Sequence, residues 1–386
     1  MSAPRSETKP LLHQIYFYLT AGCNLRCRHC WVLPEPGESR QGDAVLDPKL
    51  FADILEQAGP LGLTGVKLTG GEPFLHPQIA HLLGIIKDAN LKLVVETNGV
   101  LLTPDLAKAV AACRHPFVSV SLDGAEAETH EWVRQVPGCY QGALRGISLL
   151  VQAGLKPQII FSLMRRNREQ VEAVVHLARE LGAGSVKFNI LLASPRTEKL
   201  QEDEGLLTLP ELLELGHWVE RELTPSVDIP ILFHHPPAFR PLNLLAVEKY
   251  KGVCGIKGII GVLPDGSYAL CGIGGYVPEL LFGHAAQDRL AAVWNDHPVL
   301  QDIREGLPNR LTGICADCLL NNRCFGFCLA QNYYRTRNLW APFWFCQEAD
   351  AAGLFPLTRK RSNLNMAKDK QISGEFHERL ASPICR

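Results

Sequence analysis

Three cysteines fall within eight positions of the segment GCNLRCRHCW, and their spacing limits the centre they can hold. Cys23, Cys27 and Cys30 form the pattern C-x3-C-x2-C directly after the apolar run IYFYLT. A structural zinc site normally takes four protein ligands. Three thiolates can instead hold three irons of a [4Fe–4S] cluster and leave the fourth iron open to a chelating ligand. Two alternatives follow: such an open cluster, or a zinc site completed by His29 or a distant residue.

Seven further cysteines lie between residues 254 and 346. They are Cys254, Cys271, Cys315, Cys318, Cys324, Cys328 and Cys346. The gaps of five and three residues in the CADCLLNNRCFGFC segment, with the last cysteine far behind, fit tetrahedral zinc poorly. Clustered thiols in a protein without an export signal bind metal more often than they form disulfides. The sequence therefore predicts a protein that holds several metal centres.

Composition indicates a large soluble enzyme. The chain has 386 residues, 46% of them hydrophobic, and a net charge of −1. This length and hydrophobic content are enough for a large core and two or three domains. The net charge is too small to attract nucleic acid or an anionic membrane. The N-terminus lacks the apolar run of a signal peptide, and no apolar stretch is long enough to span a bilayer. We expect a cytoplasmic protein with no nucleic-acid or membrane partner.

Short apolar runs alternate with helical patterns over the first half of the sequence. The predicted strands are QIYFYLT (14–20), GVKLTG (65–70), LKLVVET (91–97), FVSVSLD (117–123), QIIFSLM (158–164) and SVKFNIL (185–191). Six strand–helix alternations favour parallel βα units, which would form a partial (β/α)6 barrel resembling a TIM barrel. Chemistry in such a barrel lies at the C-terminal ends of the strands. Several of the motifs below begin at those ends, which predicts one shared site.

The strand–helix alternation of the sequence ends near residue 225. HHPPAFRPLN reads as loop, GIIGVLPDGSYALCG as a β-hairpin with a Pro-Asp-Gly turn, and a cysteine-dense region follows. The predicted organisation is an N-terminal segment (1–11), the partial barrel (12–228), a small cysteine-rich domain with the hairpin (229–350) and a C-terminal tail (351–386).

Residues 12–225 resemble the radical S-adenosylmethionine (SAM) superfamily. The cysteine motif matches fully, with His29 where members usually carry an aromatic residue, and LTGGEPF (68–74) matches the second-strand GGEP motif. The resemblance implies that SAM chelates the open iron and that Gly70 and Gly71 bind its amino group, beside Glu72 and Pro73 of the same motif. It further implies SAM contacts at strand ends and on the helix HEWVR: Asn98, Ser121, Arg134 and Leu191. Arg134 would pair with the SAM carboxylate, and Leu191 would pack on adenine.

The activity implied by the resemblance is radical generation. An electron from the reduced cluster cleaves SAM to methionine and a 5′-deoxyadenosyl radical, which removes hydrogen from an unactivated C–H bond. The protein would orient the reactants and shield the radical from solvent.

Residues 230–350 resemble the SPASM domain, which houses two auxiliary [4Fe–4S] clusters in radical SAM enzymes. The resemblance implies that Cys254, Cys271 and Cys328 hold the first auxiliary cluster. It implies a second cluster on Cys315, Cys318, Cys324 and Cys346. Some members carry a further cysteine just before the hairpin, and LLAVEKYKGV has none there. The first cluster therefore keeps an open iron or takes a non-cysteine ligand.

Three cysteines remain outside both sets. Structural packing is the expected role for Cys113, Cys139 and Cys385. A thiol near a radical can also return a hydrogen atom to a product, and Cys139 and Cys385 are candidates for that role.

The SPASM resemblance implies a ribosomally made peptide or a protein as substrate, with crosslinking or other modification of C–H bonds in its side chains. Sulfatase maturases carry an aspartate base after the hairpin cysteine, whereas Cys271 is followed by GIGGY. Since only 22 residues precede Cys23, a leader peptide would need a separate binding protein or another surface. Flavodoxin or ferredoxin would supply electrons. The alternatives are a small-molecule cofactor precursor as substrate, such as a tetrapyrrole or quinone, and a non-catalytic zinc-binding interaction protein.

Overall fold

The computed structural model describes residues 10–32, 35–36, 44–202, 205–246 and 254–362, and its main feature is a ten-stranded sheet. The strands in order of sequence are β1 Gln14–Tyr18, β2 Gly22–Cys23, β3 Glu35–Pro36, β4 Gly65–Thr69, β5 Lys92–Thr97, β6 Arg114–Ser121, β7 Gln158–Ser162, β8 Ser185–Asn189, β9 Ile231–His234, β10 Ile259–Val262, β11 Ser267–Ala269 and β12 Leu281–His284. The sheet order is β12-β11-β10-β1-β4-β5-β6-β7-β8-β9, and β2 pairs with β3 separately. All six predicted strands are present.

The sheet is mostly parallel, as the strand–helix alternation predicts. Every pair from β10 through β1 to β9 is parallel, while β10–β11 and β11–β12 are antiparallel. Two parallel strands, β9 and β10, extend the six that the sequence predicts. The predicted hairpin is present, with Gly266 in the left-handed region (φ 94°) at its turn. Because β10 pairs with β1, this hairpin continues the barrel sheet.

Helices follow most of the parallel strands, and further helices lie in the C-terminal part of the protein. They are α1 Pro48–Ala58, α2 Ile79–Asp88, α3 Pro104–Ala111, α4 Ala127–Arg134, α5 Cys139–Gln152, α6 Val171–Glu180, α7 Pro195–Glu202, α8 Leu209–Trp218, α9 Thr224–Ser226, α10 Leu242–Ala246, α11 Leu290–Asp296, α12 Pro298–Gly306, α13 Gly313–Asp317, α14 Asn321–Cys324, α15 Leu329–Thr336 and α16 Trp344–Ala351. Capping fixes several starts: the Asp47 side chain accepts from two backbone N–H groups of α1, and Thr208 forms a capping box with Glu211 of α8.

The two faces of the sheet differ in composition. Side chains alternate between faces along a strand, and one set is fully buried: Ile15, Phe17, Val66, Leu68, Leu93, Val95, Val186 and Phe188. The intervening positions include Tyr16, Lys67, Glu96 and Lys187, which keep partial solvent exposure. The first set forms the core against the helices, and the second lines the opposite, inner face.

The protein divides into two compact units. Unit 1 comprises residues 1–234 and 255–305, and unit 2 comprises residues 235–254 and 306–386. Unit 1 therefore includes the hairpin, which sequence analysis assigned to the second domain. Unit 2 is helical, in its described residues, around an aromatic group in which the Phe239 ring lies 5.0 Å from Phe345 and 5.6 Å from Phe355. The predicted boundary at residues 228/229 stays a prediction.

Candidate functional site

The N-terminal cysteine loop follows β1 and is buried. Cys23 and Cys27 are 6% and 7% exposed. One buried cluster holds Cys23, Leu25, Cys27 and Cys139, with Cys30, Val100 and Val136 packed against it. The Leu25 N–H lies 3.4 Å from the Cys23 sulfur and donates to it. The structure thus brings the three predicted ligands into one place.

The thiol of Cys23 resists ionisation in this environment. Burial first, and then the Glu72 carboxylate and the neighbouring thiols, raise the pKa of Cys23 far above its ordinary value. The thiolate is the form that binds metal. A bound cationic centre would therefore have to offset the burial of this negative charge. Within the described ranges, no three His, Cys, Asp or Glu side chains converge on the position of one metal ion.

The GGEP loop is fastened to the start of the cysteine loop. Gly71 N donates to Thr20 O at 2.9 Å, and Glu72 N donates to Gly22 O at 3.0 Å. Gly70 adopts φ 130°, and a Cβ there would lie 3.0 Å from Leu19 N and Thr20 O. Only glycine tolerates this conformation and this close approach. The backbones of the two motifs therefore form one fixed assembly.

Glu72 connects two strand ends rather than facing outward. Its carboxylate is 1% exposed and accepts from Thr97 Oγ1 at 2.7 Å, Asn98 N at 2.8 Å and Phe74 N at 3.1 Å. Burial raises the pKa of Glu72 to about 7, although these hydrogen bonds act to lower it. Pro73 begins a short 3-10 helix, Pro73–Leu75, for which Glu72 is the cap. The hydrogen bonds of Glu72 therefore link the end of β4 to the end of β5.

Asn98 lies beside the cysteine loop, as the strand-end position predicts. Its Nδ2 donates to Asn24 Oδ1 at 2.8 Å and lies 3.9 Å from the Cys23 sulfur. Its Oδ1 accepts from Val100 N at 3.0 Å, which fixes the orientation of the amide. Ser121 is the last residue of β6 and is partly buried.

Arg134 reaches the same loop from the last turn of α4. Its Nη1 lies 3.3 Å from the Cys27 sulfur, and its Nη2 lies 2.5 Å from Asp123 Oδ2. Both side chains of this ion pair are buried, at 8% and 0% exposed. Two backbone bonds, Arg26 N to Arg134 O and Arg28 N to Val133 O, join the end of α4 to the loop. The guanidinium is therefore held next to a predicted cluster ligand.

Asp123 is a central residue that sequence analysis did not assign. It is the last residue of the predicted fourth strand, and its Oδ1 accepts from Ser162 N at 2.7 Å. Although burial raises its pKa, Arg134 and then His29 and His130 hold that pKa below its ordinary value. The signal that could have identified Asp123 was its position in the VSLDG segment at a strand end. The segment does not show that Asp123 pairs with Arg134, a helix residue eleven positions later.

Two buried histidines complete this polar group. His130 Nδ1 accepts from Asp123 N at 3.1 Å, so the neutral ring carries its proton on Nε2. Burial lowers the pKa of His29 and of His130 to about 4 each. His29 Nδ1, His130 Nε2 and Arg134 Nε are buried without a hydrogen-bond partner among the described residues. Such orphaned nitrogens suit a polar ligand.

Leu191 follows β8 and contributes to an apolar group near Arg134. It packs against the buried cluster of Val133, Met164 and Leu200. Another residue missed from the sequence is Arg196, whose Nη1 donates to Cys27 O at 3.1 Å.

Among the remaining cysteines, Cys139 lies in the buried cluster of the N-terminal loop. It is 2% exposed, and burial raises its pKa to about 12. Cys113 is buried elsewhere, with its sulfur 3.5 Å from Ala109 O and 3.7 Å from Leu83 O. Cys385 lies outside the described residues.

Unit 2 brings four predicted ligands to one pocket. Cys315, Cys318, Cys324 and Cys346 line it with Pro236, Ala238, Ile314, Leu320, Asn321, Gly326 and Phe355. Leu320 N donates to the Cys318 sulfur at 3.4 Å. Burial raises the pKa of all four thiols. Four cysteines that are distant in sequence thus line one pocket, and their ligation of a second auxiliary cluster stays a prediction.

The three cysteines of the other predicted auxiliary set are divided between the units. Cys271 belongs to unit 1, where it caps the short 3-10 helix Gly272–Gly275. Cys254 and Cys328 belong to unit 2, where Cys254 is exposed and Cys328 precedes α15. Their joint ligation of one cluster stays a prediction.

Known proteins resemble this chain over most of its length. Residues 17–178 match the radical SAM superfamily model, and residues 254–319 match the SPASM iron-sulfur cluster-binding domain. An AdoMet-dependent heme synthase of Methanosarcina barkeri is 29% identical, covering 83% of this chain and 92% of that protein. Mycofactocin maturase MftC of Mycobacterium tuberculosis is 27% identical over 82% and 78%. The crystal structure of Streptococcus suis SuiB bound to S-adenosylmethionine has a similar fold, with TM-score 0.70, 19% identity and coverage of 88% and 78%. Among the helices described, none has the length and apolarity needed to cross a bilayer.

Proposed function

Because the protein belongs to the radical SAM superfamily and carries a C-terminal SPASM domain, we propose that it modifies a ribosomally made peptide or a protein at an unactivated C–H bond. The observation that supports radical chemistry is that three structural elements meet at one place. The cysteine loop, the GGEP loop and the end of α4 are bonded to one another around buried Cys23 and Cys27. We infer crosslinking or a related modification of side chains as the reaction.

The residues present fit an iron-sulfur cluster and SAM. Cys23, Cys27 and Cys30 would hold three irons, and an N–H group already donates to the Cys23 sulfur, as is common at such centres. The unpartnered Nε of Arg134 offers a donor for a carboxylate. Asn98 and Ser121 lie at the ends of neighbouring strands and would hold the polar groups of SAM, while Leu191 would contact adenine.

A reduced cluster held by Cys23, Cys27 and Cys30 would supply the electron for reductive cleavage of SAM. The protein's own residues orient and enclose this chemistry. Glu72 fixes the spacing of the β4 and β5 ends, and Asp123 fixes the Arg134 guanidinium. The burial of this polar group excludes water, which protects a reactive species.

Two auxiliary clusters are part of the proposal. The pocket shared by Cys315, Cys318, Cys324 and Cys346 supports a [4Fe–4S] cluster in unit 2. Cys254, Cys271 and Cys328 would hold the other. An electron donor such as flavodoxin or ferredoxin, and a separate leader-binding protein, are the proposed partners. Cys139, which lies in the buried cysteine cluster, is a candidate to return hydrogen to a product radical.

A peptide substrate is supported by the 27% identity to mycofactocin maturase over most of both proteins. The second candidate is a tetrapyrrole substrate, and the observation that favours it is the 29% identity to a heme synthase across 92% of that protein. Both candidates share the radical step and differ in what occupies the inner face of the barrel.

Anaerobic reconstitution tests the radical step. We expect brown protein with about twelve irons per protein molecule that forms 5′-deoxyadenosine from SAM when reduced with dithionite. The Cys27→Ala variant should lose about four irons and all SAM cleavage, while Cys113→Ala retains both. Colourless protein that binds only zinc would refute the proposal.

Mass spectrometry separates the substrates. The reduced enzyme is incubated with SAM and a library of short peptides, and in parallel with a carboxylated porphyrin. A loss of two mass units from a peptide would support oxidative crosslinking, and a mass change of the porphyrin alone would support the second candidate.

A further inference from the structure

The two units of the protein differ in charge. Unit 2 carries fourteen lysine and arginine residues against seven aspartate and glutamate residues, although the protein as a whole has a net charge of −1. Unit 1 therefore has an excess of acidic residues. The near-neutral total conceals a basic unit, and the proposed chemistry gives its cations no role.

A basic segment lies beside the pocket of unit 2. We call this pocket the four-cysteine pocket, since it is lined by Cys315, Cys318, Cys324 and Cys346. Lys360 forms an isolated antiparallel bridge with Cys318. Arg361 Nη2 donates to Asn321 Oδ1 at 2.7 Å, and Asn321 also lines the pocket. Residues 359–361 are therefore fixed next to a predicted cluster ligand.

The charges of this segment are only partly balanced. Lys360 forms an ion pair with Asp350. Arg359 Nη2 donates to the backbone O of Arg240 at 3.2 Å, and Arg361 donates to an amide oxygen. Among the residues that the structure describes, neither the Arg359 nor the Arg361 guanidinium pairs with a carboxylate. Both therefore keep a positive charge that no acidic side chain neutralises directly.

One further carboxylate and one further cation lie close to the segment. Asp317 accepts from Ser362 N at 2.9 Å and from Ser362 Oγ at 2.7 Å. Arg323 lies on the one-turn helix α14, which also carries Asn321. Four cations thus stand against the carboxylates of Asp317 and Asp350. We call the four cations the basic patch: Arg323, Arg359, Lys360 and Arg361.

The basic patch is open to solvent and adjoins exposed apolar side chains. Arg323 and Arg361 are exposed, and Cys324 of the pocket keeps partial exposure. Leu354 and Leu357, just before the segment, are 44% and 65% exposed. A small apolar area with charges at its rim is the usual composition of a protein docking surface.

The charge of the basic patch selects an acidic partner, because complementary charge steers two proteins together. The C-terminal residues 363–386 do not supply this complement, since they contain four lysine and arginine residues against three acidic ones. The position beside the four-cysteine pocket suits a partner that exchanges electrons with an iron-sulfur centre held there.

We propose that the basic patch docks an acidic electron-transfer protein beside the four-cysteine pocket of unit 2. The proposal rests on the proposed function, which requires an electron donor, and it assigns the surface at which that donor binds. Arg323, Arg359 and Arg361 supply long-range attraction. Leu354 and Leu357 supply apolar contact in the complex.

Association kinetics with a flavodoxin and a ferredoxin of strongly negative net charge test the assignment. The reconstituted protein is immobilised under anaerobic conditions, and binding is followed by surface plasmon resonance. The association rate constant should fall steeply between about 0.05 M and about 1 M salt, where the Debye length is about 3 Å. Arg323→Glu/Arg361→Glu should lower the low-salt rate constant about tenfold, at the lower end of the range for electrostatic steering.

Two control variants separate docking from misfolding and from a change in net charge. Lys87→Glu/Lys108→Glu makes the same charge change at exposed positions of α2 and α3 in unit 1, and it should retain the wild-type rate constant. Arg361→Gln keeps an amide that can donate to Asn321 and should lower the rate constant about twofold. The iron content of every variant should equal that of the wild type.

Three results would overturn the assignment. They are failure of both acidic proteins to bind, equal rate constants in the wild type and Arg323→Glu/Arg361→Glu at low salt, and an equal loss in the unit 1 control. A DNA oligonucleotide and vesicles containing phosphatidylserine are tested in parallel. Patch-dependent binding of either, as tight as that of the acidic proteins, would also overturn it, because the patch would then recognise negative charge of any source.

Formation of 5′-deoxyadenosine with dithionite tests the radical step without the partner. Loss of this reaction with patch-dependent docking intact would refute the proposed function and leave the docking surface standing. The converse result, SAM cleavage with dithionite but no patch-dependent docking, would refute the docking surface alone.

Discussion

The buried Asp123–Arg134 pair allows a sharp test of what holds the site together. The perturbation is Asp123→Asn, which keeps the shape of the side chain and the acceptor for Ser162 N. It replaces Oδ2, 2.5 Å from Arg134 Nη2, with a donor that faces a donor. The variant therefore leaves a guanidinium in the interior without its counterion.

The magnitude follows from burial. At 2.5 Å and an effective dielectric constant of about 20, Coulomb's law gives roughly 7 kcal/mol of attraction, much of it offset by desolvation of both ions. Removing one partner of a buried pair typically costs about 3–5 kcal/mol. The exposed pair Arg166–Glu128 has the same separation, with 48% and 76% exposure. Water screens it, so Glu128→Gln should cost about 0–1 kcal/mol.

Hydrogen exchange on the metal-free protein under reducing conditions measures these costs locally. Peptides covering β7 and α4 report the opening free energy without assuming that the whole protein unfolds in one step. A double-mutant cycle of Asp123→Asn, Arg134→Met and the double variant gives the interaction energy between the two side chains. We expect each single variant to lose about 3 kcal/mol or more and the double variant to lose less than their sum, by about 2 kcal/mol or more.

Two results would refute the reasoning. One is a loss below about 1 kcal/mol in Asp123→Asn, equal to that of the exposed control. The other is additivity in the double variant, because charges that compensate each other cannot behave independently.

Three further outcomes are expected. Gly70→Ala should lower the free energy of unfolding by about 1–3 kcal/mol, because the φ of Gly70 is 130° and an added Cβ would crowd the backbone just after β1. Gly84→Ala lies at an open helical position and should raise the free energy of unfolding by about 0.5–1 kcal/mol. Urea titration compares the two variants. The folded pKa of His130, about 4, lies below its unfolded value, so its stabilising contribution is complete above about pH 6.5 and is lost as pH falls toward 4. His130→Phe should flatten that part of the stability profile measured by urea titration. Cys318→Ala should lower the iron content by about four per protein molecule, with Cys113→Ala unchanged, as checked by iron analysis.

Much of the fold could be predicted from local sequence. The six apolar runs became strands at the predicted places, because alternation with helical segments specifies parallel βα units. The hairpin was predictable from its Pro-Asp-Gly turn. The short strands β9 and β10 were missed as members of the sheet: four residues carry too little periodicity to assign, and pairing with a distant strand determines them.

The cysteine spacings predict metal centres and the strand-end motifs predict where the site lies, because both depend on residues close in sequence. Tertiary structure alone decided the rest. It paired Arg134 with Asp123 and Cys27, and it brought Cys139 into the buried cysteine cluster. These contacts depend on the curvature of the sheet and on where each helix returns to it, and no local pattern encodes either.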